Sequence, residues 1–262
     1  MTRATDTSTL APASLFETLV KGAAGDSPDD ALSTRVRVAQ DASRISFENP
    51  PGSIGRSPEG AGALEDGTPA SELWRIEGLS VASGAEGLSI AWRLGRLESS
   101  PGTPYGLGKV MLDAYLDLNG VPGAGATTLL EGRKAYAQSR DAWEYALTVS
   151  GWGAFLYRSS PQGSPLLVAQ LSPELDLERS EVRVRIPSKV LRGNPSLWGY
   201  IALAMAADPA SAREGRPPLP VPAAPGTAVL GILAPLEQQQ AFVKAAAAGR
   251  GRLAAVRAPR KQ

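Results

Sequence analysis

The chain has 262 residues, 43% of them hydrophobic and 20% charged, with 27 Lys and Arg against 26 Asp and Glu. That composition suits one large folded domain or two small ones, excludes a disordered polyelectrolyte, and gives no long-range field to draw in nucleic acid or an anionic membrane. Cysteine and histidine are both absent, which excludes disulfides, thiolate nucleophiles, the Ser-His-Asp triad and the commonest zinc and haem ligand, and leaves carboxylate-only or lysine-based chemistry for any catalysis.

Residues 1–33, rich in Ser, Thr, Ala, Asp and Pro, read as a loose leader with a short helix in "APASLFETLVKG" and no hydrophobic segment of the kind an export signal needs. "RVRV" at 35–38 and "RISF" at 44–47 alternate charged and apolar side chains and predict short strands with one wet face. A long Gly/Pro/Ser loop follows. "ELWRIEGLSV" and "GLSIAWRLG" then form a hairpin around "ASGAEG", with Trp74, Ile76, Ile90 and Trp92 inward.

"KVMLDAYLDLNG" places Val110, Leu112, Ala114, Leu116 and Leu118 on one face and Met111, Asp113, Tyr115 and Asp117 on the other. Asp113 and Asp117 fall about 13 Å apart at the strand rise, too far for the carboxylate pair of a glycosidase. "DLNG" at 117–120 has part of a calcium loop but lacks the leading Asp and distal Glu, so a plain turn is expected and calcium is a weak alternative.

From Trp143 through Tyr145 and Leu147 to Val149 every second residue is apolar, with Glu144 and Thr148 opposite. This is the period of a half-buried strand and gives its rings a core role. Trp152 sits between Gly151 and Gly153, where the alternation stops and a bend is expected. "SEVRVRIPSKVLRG" carries Val182, Val184 and Ile186 inward, and "LWGYIALAMAAD", apolar on both sides, reads as a central strand covered on both faces. A second proline-rich loop, the strand "TAVLGIL", a helix from about residue 235 to 248 and a basic tail, "GRGRLAAVRAPRKQ", complete the chain. Such terminal charge runs are usually solvated.

Strands at this spacing without long intervening helices predict an all-β chain: an antiparallel β-sandwich with long Pro/Gly-rich loops and a short C-terminal helix. The expected division is a leader over 1–33, one sandwich domain over 34–236, and helix plus basic tail over 237–262.

The segments "LGRLESSPGTPYG", "VMLDAYLDLNG", "EGRKAYAQSRDAWEYALTVSGWG", "VRVRIPSKVLRGNPSLWGYIALAMAAD" and "TAVLGILAP", taken together from about Leu73 to Leu236, resemble the C-terminal, DOMON-like β-sandwich module of glucodextranase. The resemblance implies a non-catalytic jelly roll similar to carbohydrate-binding modules, with a polysaccharide or cell-envelope glycan as partner, an α-glucan setting and an extracellular or cell-surface location. No cofactor and no nucleic-acid partner are expected.

Sugar recognition needs flat aromatic faces for the pyranose ring and planar polar groups for its hydroxyls. Arg133, Tyr136, Trp152 and Tyr105 fall in loops or at strand ends and are the candidates. Two further readings stand beside this one. Relatives of the sandwich hold haem with methionine and lysine ligands, for which Lys109, Met111 and Met205 are available. The third is a structural domain for protein contact or surface attachment.

Overall fold

The computed structural model describes residues 15–19, 33–39, 43–53, 55–58, 63–160, 163–221 and 227–258. In chain order the elements are β1 (Leu15–Leu19), β2 (Arg35–Ala39), β3 (Arg44–Glu48), a 3₁₀ turn (Ala70–Trp74), β4 (Ile76–Gly84), β5 (Gly87–Leu94), β6 (Val110–Asp117), β7 (Tyr136–Ala137) and β8 (Tyr145–Ser150). There follow β9 (Gly153–Arg158), β10 (Leu166–Leu171), β11 (Pro173–Asp176), β12 (Glu181–Pro187), β13 (Gly199–Ala206), β14 (Val229–Ile232), α1 (Leu236–Ala247), β15 (Arg252–Leu253) and β16 (Val256–Arg257). The helix expected in the leader is absent from its described part, since Leu15–Leu19 pairs antiparallel with β2. The rest of that leader and residues 259–262 of the tail lie outside the described residues.

Two antiparallel sheets stack as a sandwich. The first has the order β1-β2-β3-β4-β5-β12-β11; the second runs β10-β9-β8-β6-β13-β14, with β16 also on β13. The first sheet alternates as expected. Ile45, Phe47, Ile90, Trp92, Val182, Val184 and Ile186 enter the inter-sheet core, while its other face is wet and carries ion pairs such as Arg37–Glu48 at 2.9 Å and Arg185–Glu174 at 3.1 Å. Trp74 is also in the core, but from the 3₁₀ turn rather than from a strand.

The second sheet is dry on both faces. On β6, Val110, Leu112, Ala114 and Leu116 face the first sheet, and Met111 and Tyr115 enter a separate cluster on the far side. β13 divides in the same way, Tyr200, Ala202, Ala204 and Ala206 against Ile201, Leu203 and Met205. The two-faced apolar pattern of that strand is therefore matched by a third layer, which comprises α1, the 126–137 segment and the C-terminal residues through Leu253. α1 is tied down by Gln239, whose amide donates to the Ala234 carbonyl (2.7 Å). β15 pairs with β7 and β16 with β13, so the backbone of the basic tail is woven into the fold through residue 258, with Arg257 ion-paired and Arg250 and Arg252 exposed.

Asn49 joins the two sheets. Its Nδ2 donates to the carbonyls of Ile76 (2.7 Å) and Ile232 (2.8 Å), and its Oδ1 accepts from the Ala234 N–H (3.0 Å). Nearby, Gly231 lies so close to the Trp74 carbonyl that a Cβ would fall 1.8 Å from that oxygen, a packing only glycine allows.

Trp143 departs from the expected register. A bend at Glu144 separates it from β8, so its ring joins Tyr115 in the outer cluster, centroids 5.4 Å apart, while Leu147 and Val149 face the inter-sheet core. Its indole N–H donates to the Thr128 carbonyl at 3.1 Å. Trp152 occupies the two-residue turn between β8 and β9 and is half-buried against the outer cluster. Trp143→Ala is expected to cost about 3–5 kcal/mol by lost burial and cavity formation, and Trp152→Ala clearly less. Urea denaturation of the two variants checks this, and equal losses would place Trp152 fully in the core.

Candidate functional site

The third layer over the second sheet supplies both clefts described below, and its construction begins at Asp117. That carboxylate accepts from the N–H groups of Asn119 (3.2 Å) and Gly120 (2.7 Å), an Asx-type turn. Arg257, itself 3.1 Å from Asp141, pairs with its other oxygen. "DLNG" is thus a turn with its carboxylate taken by donors. Among the described residues no cluster of three or more acidic side chains forms a metal-binding group.

From there the chain runs back over the sheet as a hairpin-like ribbon. Ala126 and Trp143 exchange backbone hydrogen bonds, both 2.9 Å, and Ala137 N–H donates to the Thr127 carbonyl at 2.7 Å. Leu129, Leu130, Ala135 and Ala137 point into the outer cluster. At the tip, Arg133 turns inward.

Arg133 is only 2% exposed and Asp113 is wholly buried. Arg133 Nε donates to Asp113 Oδ2 (2.9 Å), and one terminal nitrogen donates to Asp113 Oδ1 (3.0 Å) and Thr148 Oγ1 (3.0 Å) and meets Met111 Sδ (3.6 Å). The other donates to the Glu131 carbonyl (2.7 Å). The Tyr115 hydroxyl donates to Asp113 Oδ2 (2.6 Å) and accepts from the Leu130 N–H (3.2 Å). Burial opposes the charge of Arg133, but the adjacent Asp113 carboxylate outweighs it and holds the proton above the ordinary arginine range. Burial, then the Asp113 charge, push the Tyr115 phenol well above its usual value.

The expectation that Arg133 faces a ligand is therefore corrected. A loop position suggested a surface side chain, but the buried Asp113 draws the guanidinium through the outer layer. The other three candidates are accessible to different degrees. Tyr136 is 42% exposed and Tyr105 36%, and Trp152 is half-buried. The fold brings Tyr105 and Trp152 to one end of the second sheet, where Tyr105 N–H donates to the Gly151 carbonyl (3.0 Å) and its hydroxyl meets Ser172 Oγ (3.1 Å). Tyr136 lies in the outer ribbon, opposite Thr128 and beside β15. Met111 and Met205 are cross-strand neighbours without exposure in the outer cluster, whereas Lys109 is exposed, so the three suggested haem ligands do not share one open site.

A cleft of about 760 Å³ opens between the 123–131 segment and Ser159, Ser160, Gly163, Ser164 and Pro165. Thr127, Thr128, Ser159, Ser160, Ser164 and Glu131 are among its lining residues, a set of donors and acceptors suited to saccharide hydroxyls. Little in the sequence announces it, because small polar residues in loops are common whether or not they bind anything.

Residues 65–241 match the family model described as the C-terminal binding module, SLH-like, of glucodextranase. The chain belongs to this family. The family is a binding module, not a catalytic domain. No curated protein matches the chain. Among the described residues no helix is long and apolar enough to cross a membrane.

Asp113→Asn should destabilise the fold by about 3–5 kcal/mol, since it leaves the Arg133 charge buried without its partner. Asp113→Leu combined with Arg133→Met should recover much of that loss. A single-variant loss under about 1 kcal/mol in urea denaturation would mean that the pair does not anchor the layer. Tyr115 and Tyr200 also set an alkaline limit, because burial raises both phenols above the unfolded value of 10.0. The unfolded chain loses these protons first, so stability holds below about pH 10 and falls above it. Melting curves from about pH 8 to about pH 11 check the sign, and a flat profile contradicts it.

Proposed function

We propose that this chain is a non-catalytic polysaccharide-binding module whose ligand is an α-glucan or a related neutral glycan. Family membership over residues 65–241 carries this reading, and the hydroxyl-lined cleft of the outer layer supports it. Tyr136, opposite the cleft-lining Thr128 on the same ribbon, offers an exposed ring for an apolar sugar face, and Tyr105 and Trp152 at the sheet end offer two further rings. Asp113, Asp117 and Asp141 are each engaged by arginine, an arrangement for holding structure rather than for proton transfer. Arg133 acts here as a positioning residue that fixes the ribbon carrying Thr127, Thr128 and Tyr136.

A second reading, protein contact, draws on the edge strand β10, where Leu166, Leu167 and Val168 are exposed. A concentration-dependent dimer in light scattering that Leu167→Glu abolishes would favour it.

Affinity electrophoresis on starch, pullulan and dextran tests the glycan reading. The wild-type chain is expected to be retarded on at least one of them, and Tyr136→Ala to weaken retardation about tenfold, the loss of roughly one stacking contact, with an unchanged melting temperature. No retardation on any of the polymers would overturn the reading, as would release of reducing ends during the assay.

A further inference from the structure

A second cleft of the outer layer lies between α1 and the C-terminal segment. It encloses about 330 Å³, within the roughly 300–1,000 Å³ of small-molecule sites. Arg140, Arg250 and Arg252 line it together with the amides of Gln138 and Gln238 and the apolar ring of Phe242, and no Asp or Glu is among its lining residues.

The charge state of this cleft contrasts with the ion-paired arginines of the first sheet. On the first sheet and its edges, Arg37, Arg75, Arg93, Arg96, Arg183 and Arg185 each meet a carboxylate. Arg250 and Arg252 make no ion pair or side-chain hydrogen bond with any described residue. Arg140 reaches only Asp141, at 3.4 Å, a carboxylate that Arg257 already engages at 3.1 Å. Three guanidinium groups around one concavity repel each other until an anion enters, and a guanidinium fork matches the geometry of an oxyanion.

We propose that this cleft binds the carboxylate or phosphate group of an acidic saccharide within a polysaccharide. The arginines take the oxyanion, the two glutamine amides take neighbouring hydroxyls, and Phe242 forms part of the apolar floor under the ring. A uronate and a phosphodiester-bearing glycan present the same oxyanion chemistry. Nucleic acid fits less well, because the whole chain carries a net charge of only +1 and no exposed aromatic ring lines the cleft for base stacking. This site is distinct from the hydroxyl-lined cleft and does not depend on neutral-glycan binding there.

The test is affinity electrophoresis and calorimetry of the full chain with polygalacturonate, poly(glycerol phosphate), pullulan and duplex DNA. Wild type, Arg250→Gln, Arg252→Gln and the double variant are compared, with a thermal melt of each. Wild type is expected to bind at least one acidic polymer, and which one it is identifies the source of the oxyanion. Each single variant should weaken that binding about tenfold, the double variant should abolish it, and the melting temperatures and pullulan retardation should stay unchanged. Loss of pullulan binding in the wild type with acidic binding intact would remove the neutral-glycan reading and leave this one standing. Acidic binding that survives in the double variant would overturn the proposal, as would tighter binding to DNA than to either acidic polymer. A fall in melting temperature without loss of binding would also overturn it, because the arginines would then serve the helix C-terminus.

Discussion

The ion pair between Asp113 and Arg133 is the constraint on which the outer half of this molecule depends. A carboxylate on a central strand with no exposure is costly unless it is paired and fully hydrogen-bonded. The chain meets that requirement from above, by laying the 126–137 ribbon across the sheet until Arg133 reaches Asp113 Oδ1 and Oδ2 at 3.0 and 2.9 Å. Tyr115 and Thr148 complete the set. The pair gains little stability over an apolar substitute, but it selects one position for the ribbon, because any slip would strand two charges in the core.

That placement explains the asymmetry of the sandwich. One sheet keeps a solvated outer face with paired surface charges, and the other is covered by a third layer. Both clefts are formed by this layer, one between the ribbon and residues 159–160 and 163–165, the other between α1 and the C-terminal segment. A binding module benefits from such an arrangement, since side chains that contact a ligand keep their geometry when their support is a rigid sheet and not a free loop.

The alternating segments were legible in the sequence. β3, β5, β12 and the two-faced β13 lie where their patterns place them, because burial of one face or both imposes a period that no other structure satisfies. Features governed by distant partners were not legible. Arg133 looked like a surface residue because its counter-charge sits twenty positions earlier on a strand, and Trp143 looked continuous with β8 because the bend at Glu144 leaves the alternation of residue types intact. Asn49, inside a run rich in glycine and proline, gives no local sign that it joins two sheets. The tail read as a free basic run because its ion pairs with Asp117 and Asp141 come from segments more than a hundred residues away.

Hydrogen exchange with and without a retained neutral glycan addresses the central claim, that the layer pinned by Asp113 and Arg133 is the binding face. The account predicts that the ligand adds protection at residues 123–131 and 159–165, and leaves β2, β3 and β12 on the solvated sheet unchanged. Protection confined to that sheet, with no change in the outer layer, would contradict it.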